Sequence, residues 1–426
     1  MKIFGDDGFR DKSNKNLLNK IFLNNFFDKL NYLHEQKKIK NIVIGHDTRI
    51  SKNYILDIIL KNLKFTKTMN VINHPISTPG LQYISKLKNC FGIMITASHF
   101  SHEYNGFKFF NNGLKLKKKD ENYIEKQIKI NKKYNLKILK KTKITYINAK
   151  HYINYINNLS KFSSKEKILI DCANGSLGAY CNRIKILKKT TIVNKSQNGK
   201  KINFNCGSNF LDKNLKKNFF KKYNYCIAFD GDADRLLISK KKYGIIEAEK
   251  LALIFTLFFL KKKKIESIVS TEITNPWFHA ELNKIKIKNI ISKVGDRNVV
   301  EKKMKNNSFF GFETSGHFSF LNFMDGLIGA INFIKIINEN NNLIDYVLKK
   351  KINYKKKIFA ITKTHKKKLK IFLRQKKFNN IKFTLRSSIW NNYDKLYIFY
   401  EQKDLKIYYE IKKFLFNKSL KIKIKN

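Results

Sequence analysis

The sequence predicts an α/β protein with three similar α/β mixed-sheet domains followed by a smaller C-terminal α+β domain. Short apolar runs, which are typical of buried strands, alternate with longer stretches of helical periodicity. The alternation restarts near residues 149 and 247, and beyond about residue 350 it changes to runs typical of paired strands. We therefore expect domains over 1–148, 149–246, 247–350 and 351–426.

The individual elements follow from these periodicities. The predicted strands are 41–44, 71–73, 91–95, 168–172, 191–193, 225–229, 267–270, 290–292, 308–312, 382–385 and 395–400. The predicted helices are 54–63, a segment between the strands at 168–172 and 191–193, 249–260 and 404–416. A Lys/Asn-rich stretch near 128–148 predicts a linker between the first two domains.

Composition limits the class of protein. Hydrophobic residues make up 42% of the 426 residues, which is enough for packed cores and excludes a disordered chain. The formal net charge is +56, from 88 basic and 32 acidic residues, and the lysines are scattered along the whole chain, as A/T-rich codon usage would produce. We interpret most of this charge as solvated surface. Attraction to polyanions, either nucleic acid or a phosphorylated metabolite, is the alternative.

Cysteine usage and hydropathy predict a soluble cytoplasmic protein. The cysteines show no metal-ligand spacing, and we expect reduced, mostly buried thiols at Cys90, Cys172, Cys181, Cys206 and Cys226. The first residues lack the apolar core of a signal peptide. The longest apolar run, 251–260, is too short to span a bilayer.

The segment 230–235 carries the strongest chemical signal. Asp230, Asp232 and Asp234 follow directly after the predicted strand at 225–229, and a loop at that place can aim all three carboxylates at one point. Converging carboxylate oxygens suit a hard cation such as Mg2+. Arg235 adds a fixed cation suited to a phosphate group. The sequence therefore predicts a metal site at the end of this strand.

Two other interpretations of this segment are weaker. An EF-hand calcium loop also begins with alternating Asp, but its sixth position would be Arg235 instead of Gly and its twelfth Lys241 instead of Glu. A polar turn rich in Asp by chance is the remaining alternative. The loop, however, lies where open α/β sheets carry their ligand sites.

Other segments carry residues that can take part in catalysis or ligand binding. Ser98 follows the predicted strand at 91–95, where a serine can be an exposed nucleophile or a helix N-cap, and Lys108 follows in a Gly-containing turn. Glu313 and Ser315 lie in a Gly-bounded loop that can bind sugar hydroxyls or be a surface turn. The remaining segments are cationic and can bind phosphate: 293–297, which opens a helix, and 5–10, which contains Arg10.

Taken together and in order, the segments 4–10, 96–99, 230–235, 293–297 and 311–317 resemble the signatures of the α-D-phosphohexomutase superfamily. Further similarities occur at 45–51, 171–175 and 203–208, and the resemblance covers roughly residues 1–340. It implies three similar α/β domains and a fourth, phosphate-binding domain around one central cleft. It also implies a phosphoryl-transfer enzyme acting on hexose phosphates.

The resemblance assigns roles to particular residues. Ser98 would be a phosphoserine, and one Mg2+ would be held by its phosphate and by Asp230, Asp232 and Asp234. The implied catalytic residues are Ser98, His99, Lys108, Arg10 and His317. The implied substrate-binding residues are Glu313, Ser315, Lys293, Arg297, Arg235, Arg386 and Ser388.

Within the superfamily, segments 4–10 and 293–297 most resemble members that act on glucosamine phosphate, with a hexosamine 1,6-bisphosphate as activator and intermediate. Action on mannose or glucose phosphate is one alternative. A degenerate protein retained for polyanion binding is another. We expect a small phosphosugar as the substrate, no specific nucleic acid, no membrane association, and a monomer or homodimer.

The chain departs from the family pattern at two loops. Asn-Pro is usual after the Ser-His pair, but Phe100 and Ser101 stand here, and Phe cannot make the amide contacts of Asn. The last domain of the family carries Arg-x-Ser-Gly-Thr-Glu-Pro, of which only Arg386 and Ser388 remain. We expect weaker binding of the non-transferring phosphate as a consequence.

Overall fold

The computed structural model of the protein describes residues 2–36, 39, 41–63, 67–130, 142–162, 164–362, 369, 381–386 and 393–417. These residues form four sheets, and one sheet lies within each of the four predicted ranges. The domain boundaries themselves stay a prediction. In the described part of the chain, no helix combines the length and the apolar character needed to cross a membrane.

The first sheet is mixed and positions the loop that carries Ser98. Its strands are β1 (Phe9–Lys12), β2 (Asn41–His46), β3 (Thr68–Ile72), β4 (Phe91–Ile95), β5 (Tyr104–Asn111), β6 (Leu114–Lys115) and β7 (Lys143–Ile147). The order is β1-β5-β4-β2-β3-β7, with β6 paired to β5, and β4 lies between the parallel strand β2 and the antiparallel strand β5. The flanking helices are α1 (Lys20–Gln36), α2 (Lys52–Asn62), α3 (Thr78–Leu87) and α4 (Lys118–Ile130).

The predicted linker near 128–148 is partly wrong, because it contains the end of α4 and all of β7. Strand β7 pairs in parallel with β3, so it extends the first sheet at its edge. The Lys-rich composition fits an edge position, since the side chains of β7 are exposed or half-buried. Residues 131–141 of this stretch lie outside the described residues.

The second sheet carries the acidic loop. Its strands are β8 (Ile168–Asp171), β9 (Thr191–Val193), β10 (Tyr225–Phe229), β11 (Leu236–Lys240) and β12 (Gly244–Ile245), in the order β12-β11-β10-β8-β9. Its helices are α5 (Lys150–Leu159) and α6 (Leu211–Leu215). The helix predicted between β8 and β9 is wrong, because short 3-10 helices take its place between residues 176 and 189. The backbone at Gly178 lies against Lys195, so tertiary packing overrides the local periodicity there.

The third sheet lies beside the second. Its strands are β13 (Ser267–Thr271), β14 (Lys288–Ser292), β15 (Gly311–Phe312) and β16 (Phe318–Ser319), in the order β14-β13-β15-β16. Its helices are α7 (Ala248–Leu260), α8 (Pro276–Lys284), α9 (Asp296–Lys305) and α10 (Gly326–Lys349), the last kinked at Asn340. The strand predicted at 308–312 is shorter than expected, since only Gly311 and Phe312 belong to β15.

Within its described residues, the last domain contains a three-stranded antiparallel sheet and one helix. Its elements are β17 (Tyr354–Thr362), β18 (Lys382–Arg386), β19 (Tyr393–Glu401) and α11 (Leu405–Asn417), with β19 in the centre. Side chains of this sheet and helix form a core of their own, which includes Phe359, Ile398 and Ile411. The α+β prediction for this region agrees with these elements.

One continuous core joins the first three sheets. It includes Met94 of β4, Ile227 of β10 and Phe312 of β15, all of them buried. Burial of these apolar strands in one core fixes where the loops after them can lie. The loops that follow β4 and β10, and the turn between β15 and β16, are thereby brought to one cleft.

Candidate active site

Ser98 lies in a tight loop directly after β4. Its hydroxyl donates to Asp230 Oδ2 at 2.7 Å, and its backbone N–H donates to Thr96 Oγ1 at 2.9 Å. The φ angle of Ser98 is 51°, in the left-handed region that residues with a Cβ rarely adopt. Such backbone strain persists only where surrounding contacts hold it, and it is concentrated at functional sites.

The acidic loop after β10 brings three buried carboxylates together. One oxygen each of Asp230, Asp232 and Asp234 lies within 4.8 Å of the others. Burial and the two neighbouring carboxylates raise the pKa of Asp230 to about 7. Within the described residues, Asp232 Oδ1 is buried without a hydrogen-bond partner. An all-oxygen donor set with a spare buried oxygen fits a divalent cation, so this loop could bind a metal.

Lys108 extends from β5 into the acidic loop. Its ammonium nitrogen lies 2.8 Å from Asp7 Oδ2, 2.8 Å from Asp232 Oδ2 and 2.6 Å from Asp234 Oδ2. Burial opposes the charged form, but the surrounding carboxylates raise the pKa of Lys108 well above its ordinary value. Lys108 is therefore a fixed buried cation that partly neutralises the carboxylates.

The turn between β15 and β16 connects to the acidic loop. His317 forms an isolated backbone bridge with Arg235, and its ring lies 3.3 Å from Asp234 Oδ1 and 3.0 Å from Glu313 Oε2. Burial lowers the pKa of His317, but these carboxylates outweigh it and raise the pKa to about 10. Ser315 Oγ lies 2.9 Å from His317 Nδ1, and Gly295 N–H donates to Glu313 Oε1 at 2.7 Å.

These loops line a cleft of about 570 Å³ together with several cationic side chains. Its lining includes Arg10, Arg235, Arg386, His99, Phe100, Glu313, Ser315 and His317. The guanidinium of Arg10 lies 5.0 Å from the centre of the Phe100 ring, a cation–π contact. Burial and the nearby Arg235 and Arg10 lower the pKa of His99 to about 2, so its imidazole is neutral.

Two of the substrate-binding residues implied by the resemblance, Arg297 and Lys293, do not line this cleft. The Arg297 guanidinium binds Glu121, with Nη1 3.1 Å from Oε2, and lines a neighbouring cavity of about 370 Å³. Lys293 is exposed and does not line the cleft. Ser388 lies outside the described residues. Arg386, in contrast, lines the cleft, and its Nη2 donates to Asp6 Oδ2 at 2.9 Å.

Sequence analysis missed an ion-pair network beside the acidic loop. Lys115 from β6 contacts both Asp7 and Asp296, and Asp7 also contacts Lys108. Asp7 and Asp296 occur in the segments 5–10 and 293–297, which we selected only for their cations. Nothing distinguishes Lys115 among the many lysines of the chain, so only the fold reveals it.

The strained serine, the buried carboxylates and the arginine-lined cleft define a class of protein. Their donors and cations suit phosphoryl transfer on a phosphorylated small molecule. Comparisons with known proteins agree with this class. Residues 1–135 match the family model described as phosphoglucomutase/phosphomannomutase, α/β/α domain I, and residues 247–353 match the model of domain III. The chain belongs to the phosphoglucomutase/phosphomannomutase family.

Its sequence relatives include phosphoglucosamine mutases. That of Caldicellulosiruptor saccharolyticus is 31% identical over 355 residues, which are 80% of this chain and 79% of the relative. That of Dictyoglomus thermophilum is 32% identical over 79% of this chain and 77% of the relative. That of Buchnera aphidicola subsp. Baizongia pistaciae is 31% identical over 81% of this chain and 79% of the relative.

Solved structures confirm the predicted fold class. A phosphoglucomutase/phosphomannomutase family protein from Burkholderia thailandensis superposes with a TM-score of 0.82 at 18% identity, covering 99% of both chains. An Aspergillus fumigatus N-acetylphosphoglucosamine mutase, solved with GlcNAc-6P and magnesium, gives a TM-score of 0.61 at 15% identity over 93% of this chain and 91% of that one. These likenesses show the fold.

Proposed function

We propose that this chain is a phosphoglucosamine mutase that interconverts glucosamine 6-phosphate and glucosamine 1-phosphate, for UDP-N-acetylglucosamine synthesis. The observation that carries the proposal is the 2.7 Å contact between Ser98 Oγ and Asp230, whose neighbours His99 and Arg235 line a cationic cleft. Relatives of that name, 31% identical over 80% of the chain, support the choice of sugar.

The acidic loop is proposed to hold one Mg2+ through Asp230, Asp232 and Asp234, together with the phosphate on Ser98. The buried oxygen of Asp232 without a partner supports this assignment. When bound, the cation would neutralise charge on the transferring phosphoryl group. Because Lys108 already contacts two of these carboxylates, its ammonium would add to that neutralisation from the side of the first domain.

The reaction is proposed to proceed in two transfers through phosphorylated Ser98. In the first, the bond from phosphorus to Ser98 Oγ breaks as one forms to the 1-oxygen of glucosamine 6-phosphate, and the proton of that hydroxyl is transferred to Ser98 Oγ. The resulting 1,6-bisphosphate turns around in the cleft. In the second transfer, the bond from phosphorus to the 6-oxygen breaks as one forms to Ser98 Oγ. The Ser98 proton passes to the 6-oxygen, which leaves glucosamine 1-phosphate.

The chain's own residues supply the remaining functions. The His99 ring lies 3.3 Å from Ser98 Oγ, and because its pKa is lowered to about 2 it stays neutral. It is proposed to orient that oxygen by a hydrogen bond and not to accept its proton. Glu313 and Ser315 are proposed to bind sugar hydroxyls in both orientations. Arg10, Arg235 and Arg386 supply fixed positive charge for the phosphates.

A second candidate function is phosphomannomutase or phosphoglucomutase activity. The matched family models carry that description, and the cleft lining alone does not separate glucosamine from glucose or mannose. A direct comparison of substrates separates the two candidates.

The test is a Mg2+-dependent mutase assay with glucosamine 6-phosphate, glucose 6-phosphate and mannose 6-phosphate side by side. The protein is first activated with glucose 1,6-bisphosphate, and phosphate on Ser98 is measured by mass spectrometry. We expect the highest kcat/KM with the amino sugar. We also expect a loss of at least about 10³-fold in Ser98→Ala, because the nucleophile is removed.

Ser101→Ala is the matched control, since it removes an exposed hydroxyl from the same loop. Faster turnover of glucose or mannose phosphate would select the second candidate. No turnover of any sugar by folded protein that carries phosphate on Ser98 would refute both candidates.

A further inference from the structure

Two carbonyl oxygens of the Ser98 loop are each held by two side-chain donors. Arg49 Nη2 donates to the carbonyls of Ser98 at 3.1 Å and Phe100 at 2.8 Å. Asn203 Nδ2 donates to the same carbonyls, at 2.8 Å and 2.9 Å. One donor comes from the first domain and the other from the second, so both domains bind the main chain of this loop.

Arg49 is itself fixed in place. Its side chain is fully buried, and its Nε donates to Asp47 Oδ2 at 3.0 Å. The remaining terminal nitrogen, Nη1, donates to the carbonyls of Ser101 and Tyr104. Because every guanidinium nitrogen is engaged and the hydrogen bonds are charge-assisted, Arg49 imposes one shape on residues 98–104.

Asn203 connects the same loop to the acidic loop. A Cβ built on Gly231 would lie 2.7 Å from the Ser98 carbonyl oxygen and 3.0 Å from Asn203 Nδ2. The Ser98 carbonyl, the Asn203 amide and the Gly231 backbone are therefore packed together. Gly231 stands between Asp230 and Asp232, so this packing sets the position of Ser98 relative to the carboxylates.

We propose that Arg49 and Asn203 are positioning residues that hold the strained backbone of Ser98 in a fixed position relative to the acidic loop. The contacts run to main-chain oxygens, so they do not depend on which side chains stand at positions 100 and 101. These contacts can therefore hold the loop with Phe100 and Ser101 in place of the usual Asn-Pro. The inference rests on the proposed function for its kinetic consequence, but its structural part stands alone.

The kinetic test compares Asn203→Ala with Asn214→Ala. Asn214 is a matched control, because it is a buried Asn of the same domain that donates to a backbone carbonyl, that of Asn205, away from the Ser98 loop. We expect Asn203→Ala to lower kcat by about 10- to 100-fold with KM changed less than about 3-fold, since the nucleophile is misplaced while the cleft remains. Asn214→Ala should lower kcat less than about 3-fold.

The structural test is hydrogen exchange of peptides covering residues 96–104, measured by mass spectrometry on the wild type and both Asn variants without substrate. Faster exchange in Asn203→Ala, with no change in Asn214→Ala, supports the proposal. Arg49→Lys keeps a cation beside Asp47 but loses the contacts made by the second terminal nitrogen, so it should show the same exchange and kcat pattern if Asn203→Ala does not fold.

The outcomes distinguish failure of the proposed function from failure of the positioning role. A wild type without mutase activity, combined with faster exchange in the Asn203 variant, would overturn the proposed function and leave the positioning role. Unchanged exchange and unchanged kcat in both Asn203→Ala and Arg49→Lys, alongside an active wild type, would overturn the positioning role alone.

Discussion

Asp230 is a buried carboxylate with two further buried carboxylates of the same loop as neighbours. Among the described residues, only two favourable side-chain partners lie close to Asp230. They are the Ser98 hydroxyl, which donates a hydrogen bond, and the Arg235 guanidinium at 3.8 Å. Burial and mutual repulsion therefore destabilise the ionised loop when no cation is bound. A bound cation would instead stabilise the ionised carboxylates of this loop.

Asp230→Asn should consequently stabilise the protein in the absence of metal. In excess chelator, we expect its Tm to exceed that of the wild type by about 2–4 °C, because one of three crowded charges is gone. With Mg2+ added, the wild type should gain Tm and the variant should not, and mutase activity of the variant should be lost. Glu166→Gln, which neutralises a carboxylate remote from the acidic loop, is the control. A variant less stable than the wild type in chelator would contradict the repulsion argument.

At the residue scale, sequence predicted the groups that lie close together along the chain. The Asp triad occupies alternate positions of one loop, and Ser98 directly follows an apolar strand, so both stand out in the sequence. Arg49 and Asn203 lie in the segments 45–51 and 203–208, which resemble the family, but the contacts that they and Lys115 make could not be predicted this way. Their partners are far away in sequence, and an isolated Arg, Asn or Lys carries no pattern until the fold brings the partner close.

Helix α10 begins at a buried cap that also joins two domains. Asp325 Oδ1 accepts from Leu327 N–H at 2.9 Å and Ile328 N–H at 3.1 Å, while Oδ2 accepts from the Tyr152 hydroxyl of α5 at 3.0 Å. Burial raises the pKa of Asp325 to about 7. Because the folded state binds this proton more tightly than the unfolded state, the cap contributes more stability as the pH falls from above 7 towards the ordinary Asp value.

Tyr152→Phe should destabilise the protein in a pH-dependent way. At about pH 8.5 the cap is ionised, and loss of the hydroxyl should lower the free energy of unfolding by about 1–3 kcal/mol. At about pH 5.5 the cap is protonated and the loss should be smaller, since hydrogen bonds to charged groups are the stronger ones. Urea unfolding at both pH values measures the effect.

Tyr155→Phe is the control for that experiment, because Tyr155 lies on the same helix and its ring stacks on Tyr83 at 4.7 Å. It should change the free energy of unfolding by less than about 0.5 kcal/mol at either pH. An equal loss for Tyr152→Phe at both pH values would show that Asp325 does not titrate in this range.

At the element scale, the predicted bounds are most accurate for strands that are buried in the interior of a sheet. The bounds of β4 and β10 coincide with the predicted strands, because each is a short, fully buried apolar run in the interior of its sheet. The bounds of β9 also coincide, although β9 is an edge strand. The helix predicted after β8 is wrong, since short 3-10 helices bury the apolar residues of this segment. Local periodicity describes an element only where the element packs as a regular unit.

At the scale of the whole molecule, the last domain contacts both the first and the third. Arg386 at the end of β18 donates to Asp6, and Thr384 Oγ1 donates to the carbonyl of Glu272 at 2.9 Å. Sequence predicted the separate domains from their repeated patterns, but these contacts depend on how the domains pack together. The cleft lining therefore includes two cationic side chains of the last domain, Arg386 and Lys395, although this domain keeps only Arg386 and Ser388 of the family motif.

Arg386→Ala should weaken substrate binding without impairing the chemical step. Loss of a charge-assisted contact to the non-transferring phosphate predicts a KM raised about 10- to 100-fold and a kcat changed less than about 3-fold. Arg183→Ala removes the same charge from an exposed site that does not line the cleft, so it tests whether the net charge of +56 alone attracts the substrate. Its KM should stay within about 2-fold of the wild type at about 0.15 M salt, where remote surface charges are screened. Equal KM values for both variants would assign substrate attraction to the diffuse lysine charge and remove Arg386 from the phosphate site.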